Sequence, residues 1–105
     1  MIVNTNVTDK TVVVDGGGLI TLSGENLRQI FLVFGSGDLT LRNLTLRDGG
    51  GFAGAAVSVS SSQGKATLVD CLLTSNNSEN ENGGAIYNTG TLTVLHSTLS
   101  NNHNN

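Results

Sequence analysis

Apolar and polar residues alternate along three stretches of the chain that share nearly the same sequence. The stretches read GDLTLRNLTLRDG, GKATLVDCLLTSNN and GTLTVLHSTLSNN, and they begin at Gly37, Gly64 and Gly90. Apolar residues at every second position are typical of a β-strand that buries one face. The alternation shifts once within each stretch, at Arg42-Asn43, Val69-Asp70 and Leu95-His96. We therefore predict a bend in each stretch, at which one strand continues into the next without a full loop.

The three stretches recur at intervals of 27 and 26 residues, and a fixed period in this range is typical of a solenoid. A further apolar run precedes each stretch, at residues 30–34, 55–59 and 85–87, so we predict three short strands per repeat. Stacking of successive repeats buries an apolar column that a single repeat leaves exposed. The register predicts an inward column of Leu46, Leu73 and Leu99 and an outward column of Thr40, Thr67 and Thr93.

These features predict one all-β domain over residues 1–105, folded as a right-handed parallel β-helix of three to four coils. The right hand is the one expected for parallel crossover connections. The less regular segment KTVVVDGGGLITLSG, which begins at Lys10, is expected to form the first coil. With strands ~4.8 Å apart, we expect a stack ~15–20 Å tall. Because no capping segment follows the last repeat, we expect a piece of a longer solenoid, or an end that is covered by self-association.

The composition agrees with short strands joined by tight turns. Glycine and asparagine, with 14 and 13 residues, tolerate left-handed turn conformations, and the 12 threonines favour strands. Nine of the asparagines lie in residues 76–105, mostly after predicted strands. We therefore expect these asparagines to shape the bends, with Asn76 in a left-handed conformation.

Charge and cysteine content exclude several classes of protein. The formal net charge is −3 and no basic run occurs, so we do not expect nucleic acid as a partner. No stretch approaches the length of an apolar membrane span, and the first residues lack the basic and apolar segments of a signal peptide. Cys71 is the only cysteine, which excludes an intrachain disulfide framework, and its apolar neighbours predict a buried, unreactive thiol.

The segment NGGAIYNTGTLTVLHSTLSNN, with VVVDGGGLITLSG and LTLRNLTLRDG before it, resembles the pectin-lyase-like right-handed β-helix superfamily. It is most similar to the repeat-rich surface proteins of bacteria within that superfamily. GGAI at residues 83–86 is similar to the polymorphic outer membrane protein repeat, in which GGAI precedes an FxxN motif; here Leu73 and Leu99 stand in place of the phenylalanine. The resemblance implies a cell-surface or extracellular location for the parent protein. It also implies a comparison with the polysaccharide lyases and hydrolases of the superfamily.

A polysaccharide lyase needs a base, together with a cation or a basic residue that holds the carboxylate of the substrate. Arg42 and Arg47 offer such groups, with Asp38, Asp48 and Asp70 near them in the predicted coils. The alternative, which we favour, is that these are solvated side chains on a polar strand face. A hydrolase would need paired aspartates on adjacent strands, and no aspartate stacks on another in the predicted register.

Two histidines are further candidates. His96 aligns with Asn43 and Asp70 at the bend, where it is either a proton shuttle or, as we favour, a turn residue whose ring bonds to a neighbouring backbone group. His103 lies in the tail NNHNN and is expected to be mobile.

Two polar motifs complete the set of candidates. Glu79 and Glu81 lie in the loop SENENGG and could hold Ca²⁺ weakly, but no calcium-loop pattern surrounds them, so we favour solvated charge. DGGG occurs at residues 15–18 and 48–51 without the following helix that a phosphate-binding loop requires. Both copies are therefore expected to be turns.

Three classes of function remain. An ice-binding face needs stacked Thr-x-Thr, which only Thr91 and Thr93 fit, because Asp38 and Lys65 interrupt the array. A polysaccharide lyase or hydrolase fragment needs a groove with several charges of defined role. We favour a non-catalytic structural or adhesive repeat module of a bacterial cell-surface or secreted protein. It would have no catalytic, cofactor-binding or metal-ligating residue, and carbohydrate or a host-surface ligand is its expected partner.

Overall fold

The computed structural model describes residues 5–51, 54–78 and 84–104, and within these ranges it contains β-strands and turns but no helix. No helix that could cross a membrane is therefore present in the described ranges. The strands are β1 (Thr5–Thr8), β2 (Thr11–Ser23), β3 (Phe31–Phe34), β4 (Asp38–Arg47), β5 (Gly50–Gly51), β6 (Val57–Val59), β7 (Lys65–Val69), β8 (Leu72–Thr74), β9 (Asn77–Ser78), β10 (Ile86–Asn88), β11 (Thr91–Leu95), β12 (Thr98–Ser100) and β13 (His103–Asn104).

The strands form three parallel sheets that wind around a common core. The first sheet has the order β1-β3-β6-β10, and the third has the order β13-β9-β5. The second sheet holds β11-β7-β4-β8-β12, with β2 paired to β4. Each strand pairs with its counterpart one repeat away, so the chain is a β-solenoid of about three turns. The prediction of an all-β fold with stacked parallel strands is confirmed.

The register confirms the two columns that the repeats predict. Leu46 is paired with Leu73, and Leu73 with Leu99. Leu22 of the first coil continues the column below Leu46. Leu46 and Leu73 are fully buried, whereas Leu99, in the last coil, is 46% exposed. The outward column is also formed, since Thr67 pairs with both Thr40 and Thr93.

The interior is filled almost entirely by aliphatic side chains, which come from the first and second sheets and from Ile30 just before β3. Burial of such side chains contributes roughly 1.5–3 kcal/mol each and is the main favourable contribution to folding here. The largest fully buried apolar side chains are Ile30, Leu39, Leu41, Leu46, Leu68, Leu73, Val7, Val33, Val57 and Val59.

The third sheet differs from the sequence-based prediction. The two halves of each bent stretch were predicted to be two of the three strands in a coil, but β7 and β8 belong to one sheet and β4 runs through its bend unbroken. The third sheet instead consists of the two-residue strands β5, β9 and β13. Strands this short have no periodic pattern of side chains, so alternation does not reveal them.

The glycine that opens each repeat marks a close approach between segments of adjacent turns. A Cβ atom on Gly90 would lie 2.6 Å from the backbone carbonyl oxygen of Ser61 and 3.0 Å from Cγ1 of Val59, both in the preceding coil. The backbone N–H of Thr91 donates to the carbonyl oxygen of Gly64 at 3.0 Å. Glycine is therefore required at this corner because any side chain would separate stacked coils.

The first coil contains an insertion at its bend. Val14 pairs with Leu41 and Ile20 pairs with Leu44, so β2 makes a bulge between Asp15 and Ile20. Gly17 and Gly18 have positive φ angles of 63° and 83°, which glycine adopts without steric cost. The first DGGG motif is thus a bulge within one strand, whereas a turn was predicted.

Candidate functional site at the bend

The bend of each repeat places one polar residue in a left-handed backbone conformation. The φ angles are 53° for Asn43, 54° for Asp70 and 50° for His96. Asparagine, aspartate and histidine are enriched in this conformation relative to other residues that carry a side chain. Geometry of the backbone alone is therefore sufficient to explain why these three residue types occupy the bend.

The bend column lines a shallow groove on the outside of the second sheet. The groove has a volume of about 240 Å³. Amide, carboxylate and imidazole groups lie along it, together with apolar carbon from Leu72. Its lining residues are Gly18, Asn43, Leu44, Thr45, Asp70, Cys71, Leu72 and His96. Hydrogen-bonding groups beside an apolar wall are suited to a polar organic ligand such as a sugar.

Asp15 fixes the lower end of this groove. Its Oδ1 accepts the backbone N–H of Gly17 at 2.9 Å and the Nδ2–H of Asn43 at 3.3 Å. The hydrogen bond from Gly17 is the main cause that lowers the pKa of the Asp15 carboxyl, and the bond from Asn43 and the charge of Arg42 act in the same direction. The carboxylate is exposed and holds the bulge and the Asn43 side chain in place.

Cys71 lies under the floor of the groove with its thiol turned into the protein. Its Sγ is 3.4 Å from the carbonyl oxygens of both Leu41 and Val69. Burial raises the pKa of the Cys71 thiol, which disfavours the reactive thiolate. The backbone N–H of Cys71 donates to Oγ of Ser97 in the next coil at 3.0 Å. The predicted buried location of Cys71 is confirmed.

His96 is exposed at the upper end of the groove. The sequence predicted a hydrogen bond from its ring to the backbone, but the imidazole makes no hydrogen bond with the described part of the chain. Its position follows from the left-handed φ of the bend and not from a ring contact. The imidazole and the carboxylate of Asp70 are both available to a ligand in the groove.

The arginine and aspartate candidates are distributed over the sheet face. Nε of Arg47 forms an ion pair with Oδ2 of the neighbouring Asp48 at 2.9 Å. Asp38 and Arg42 stand four positions apart on β4, so their backbones are separated by roughly 13 Å at the rise of a strand. Asp38 lies opposite Lys65 in the next coil. Arg42 lies opposite Asp15 in the preceding coil, so the charged candidates are only partly dispersed over the face.

The outward threonines form one continuous column, but charged residues interrupt the column beside it. Thr40, Thr67 and Thr93 stack in register. The neighbouring column contains Asp38 and Lys65 in its two middle coils, between Thr11 and Thr91. The face therefore carries opposite charges at the positions where an ice-binding array needs threonine.

The remaining candidates lie away from the groove. His103 was expected to be mobile, but it belongs to β13, pairs with Asn77 and donates its backbone N–H to the carbonyl oxygen of Asn76 at 2.9 Å. Glu79 and Glu81 fall outside the described residues. Within the described ranges, no three His, Cys, Asp or Glu side chains are close enough to hold a metal ion together. Residues 48–51 pass from a left-handed bend at Asp48 into β5 at Gly50, so the second DGGG motif is half bend and half strand, whereas a turn was predicted.

Asn76 has a different role from the one predicted. The left-handed residue of this corner is Ser75, with a φ of 58°, and the equivalent residue of the last coil is Asn101, with a φ of 56°. Asn76 is fully buried, and its side chain enters the interior between two coils. Its Nδ2–H donates to the carbonyl oxygen of Leu46 at 3.2 Å. The signal in the sequence is the recurrence of asparagine 26 residues later, at Asn102.

No protein family model, curated protein or solved structure matches this chain. The strand order and register show a β-solenoid of about three turns, which is a fold compatible with a β-helix. The chemistry of the groove is given by its own side chains, among which the exposed Asp70 and His96 are the titratable groups that a ligand can reach.

Proposed function

We propose that this chain is a non-catalytic structural or adhesive repeat module of a bacterial cell-surface or secreted protein, with the pectin-lyase-like type of β-helix. The GGAI segment supports this proposal, because Ala85 is buried and Ile86 pairs with Val57 as a repeated coil element. The similarity to the polymorphic outer membrane protein repeat is part of the same proposal, with Leu99 in place of the phenylalanine of that motif.

One observation carries the proposal: most of the polar residues that could serve catalysis have a structural task in the solenoid. Asn43, Asp70 and His96 adopt the left-handed bend conformation. Arg47 is paired with its neighbour Asp48. A module of this kind presents stacked polar columns on a rigid scaffold, and its binding surface is the outside of the sheet.

Carbohydrate is the ligand class that suits the groove at the bend. Asn43 and Asp70 offer amide and carboxylate groups for sugar hydroxyls, and Leu72 offers apolar surface for the ring carbons. The alternative is a fragment of a polysaccharide lyase or hydrolase. It draws support from the same groove, because His96 and Asp70 are the two groups there that could transfer a proton.

Affinity electrophoresis in gels that contain acidic or neutral polysaccharides separates these functions. We expect a polysaccharide to retard the chain, and we expect the retardation to weaken in Asp70→Asn and His96→Asn, which keep a residue suited to the bend. Gln63→Ala, at an exposed loop position, serves as the matched control. The same mixtures are followed by ultraviolet absorbance for unsaturated uronic products and by a reducing-sugar assay. Product from the wild-type chain, absent in Asp70→Asn or His96→Asn, would overturn the non-catalytic proposal in favour of the enzyme.

A further inference from the structure

The side chains with a fixed hydrogen-bonding character in the bend groove are acceptors. A carboxylate can only accept hydrogen bonds, so the amide of Asn43 must present its Nδ2–H to Oδ1 of Asp15, at 3.3 Å. The amide oxygen Oδ1 of Asn43 is then left for a ligand, and no hydrogen bond reaches it from the described part of the chain. The next coil places Asp70 at the equivalent position of the bend, with an exposed carboxylate. A ligand in the groove therefore meets two acceptors in succession.

Asp70 also gives the groove a negative charge that no basic side chain balances. On the outside of the second sheet, Arg42 lies opposite Asp15 and Lys65 lies opposite Asp38. Among the described residues, Asp70 forms no ion pair, and the groove lining contains no lysine or arginine. A cation of the ligand can therefore take the place that a basic side chain takes beside the other two aspartates. An anionic ligand would instead lie next to an unpaired carboxylate.

Apolar carbon in the groove favours a sugar ring over a simple cation. Leu72 is 37% exposed and lines the groove in the same coil as Asp70. Strands of adjacent coils are ~4.8 Å apart, so the side chains of Asn43 and Asp70 can contact different substituents of one bound sugar. Thr45 adds a hydroxyl that can donate or accept. One ring can thus meet a carboxylate, an amide oxygen and an apolar wall together.

We propose that the bend groove binds amino sugars, with the protonated amine of the ligand at the carboxylate of Asp70 and a hydroxyl of the same ring donating to Oδ1 of Asn43. Amino-sugar binding rests on the carbohydrate-binding role proposed above and narrows the ligand to one class. A hydrogen bond between an ammonium group and a carboxylate is stronger than one between neutral groups. Uronic acids would bring a second carboxylate to Asp70 and are disfavoured.

Isothermal titration calorimetry with three soluble oligomers tests this ligand class. The probes are equally long oligomers of glucosamine, N-acetylglucosamine and galacturonic acid, used at neutral pH and low salt. We expect the glucosamine oligomer to bind about three- to tenfold more tightly than its N-acetylated form, which is the gain from one charge-assisted contact that water can reach. The galacturonic acid oligomer should bind most weakly.

Two variants separate a contact at Asp70 from general attraction to an acidic chain. Asp70→Asn keeps a residue suited to the left-handed bend and removes the charge. It should abolish the preference for glucosamine and leave binding of the N-acetylated oligomer nearly unchanged. Asp38→Asn removes the same charge from the same face, outside the groove lining, and should retain the preference. Circular dichroism checks that both variants fold.

The outcomes distinguish the ligand class from the broader role. Equal or tighter binding of the N-acetylated or uronic oligomer would overturn amino-sugar selection and leave carbohydrate binding intact. Equal losses in Asp70→Asn and Asp38→Asn, or equally tight binding of a lysine oligopeptide, would mean that charge alone attracts the ligand and would also overturn it. If no oligomer binds, the carbohydrate-binding role itself fails, and the affinity electrophoresis described above should then show no retardation by any polysaccharide.

Discussion

The side chain of Asn76 donates from Nδ2–H to Oδ1 of Asn102 at 3.0 Å, and the same oxygen accepts the backbone N–H of Asn76 at 3.0 Å. Oδ1 of Asn76 in turn accepts the backbone N–H of Gly49 at 2.9 Å. Each asparagine side chain thus satisfies hydrogen-bonding groups at the corner of the coil that precedes its own. The ladder begins at Gly49, which has no side chain and so leaves room for Asn76: a Cβ atom on Gly49 would lie only 2.8 Å from Oδ1 of Asn76.

Replacement of this buried asparagine should strongly destabilise the chain. Asn76→Val leaves the N–H of Gly49 and the carbonyl of Leu46 without the partner that Asn76 supplies, and Oδ1 of Asn102 keeps only the backbone N–H of residue 76. Each unsatisfied buried group costs ~1–3 kcal/mol, and water can reach part of this corner, so we expect a loss of ~2–4 kcal/mol in the free energy of unfolding. Urea denaturation followed by circular dichroism measures it. Asn77→Val, at the exposed neighbour, is the control and should be nearly neutral; equal losses in the two variants would contradict the ladder.

The central leucine column should be the most sensitive part of the core. Leu73 is fully buried between Leu46 and Leu99. Leu73→Ala removes contacts to both neighbours and leaves a cavity, which costs ~2–5 kcal/mol in the free energy of unfolding. Leu72→Ala, one position along on the outward face, should change it by much less, because that side chain is 37% exposed. A larger loss in Leu72→Ala than in Leu73→Ala, by the same denaturation measurement, would reverse the faces assigned to β8.

Substitution at the bend tests whether its polar residues are there because they tolerate the left-handed backbone conformation. Asp70 has a φ of 54°, and a β-branched residue is strained in that conformation. We expect Asp70→Val to lose ~1–2 kcal/mol of stability. Asp70→Asn, which tolerates the same φ, should melt close to the wild type. If the two variants have the same melting temperature, the left-handed conformation does not select the residue at this position.

The thiol of Cys71 should report on opening of the solenoid. Because burial raises its pKa and shields it, a disulfide reagent should react with Cys71 slowly in the native chain and rapidly in concentrated urea. The protonated thiol is favoured in the folded state. Its contribution to stability is therefore present below the unfolded pKa, near 9.0, and is lost as pH rises above it.

The thiol reaction also checks the core prediction. When opening is fast relative to reaction, the labelling rate of Cys71 follows the equilibrium population of the open state, so Leu73→Ala should raise this rate exponentially with its loss of stability. Leu72→Ala should label at a rate closer to that of the wild type. Rapid labelling of the native wild-type chain would show that the thiol is not enclosed between the carbonyls of Leu41 and Val69.

The inward columns could be predicted from the sequence because a solenoid repeats the same physical environment. Leu46, Leu73 and Leu99 occupy equivalent sites, and the period of the chain places them in one column. The bend could be predicted as well, since the alternation shifts where Asn43, Asp70 and His96 turn the backbone. Both features depend on the alternation of apolar residues and its period, which can be read from a single sequence.

The roles of adjacent asparagines could not be separated in the same way. Ser75 and Asn76 stand side by side, and both a left-handed residue and a ladder residue at this corner can be asparagine. Only the direction of the side chain, inward for Asn76, distinguishes the two roles. His103 was misjudged for a related reason, because its two-residue strand is formed through pairing with Asn77 and not through its own sequence.

The bulge in the first coil shows where this solenoid can change its length. Between Val14 and Ile20 the chain is three residues longer than between Leu41 and Leu44, yet both flanking pairs remain in register. The extra residues emerge beside the groove, and Leu19 among them is 94% exposed. The bend therefore tolerates insertions, and successive coils can be lengthened there one at a time without a change in the strand register. Longer bend loops would rise next to one another and build a lateral binding surface of variable sequence on an unchanged stack.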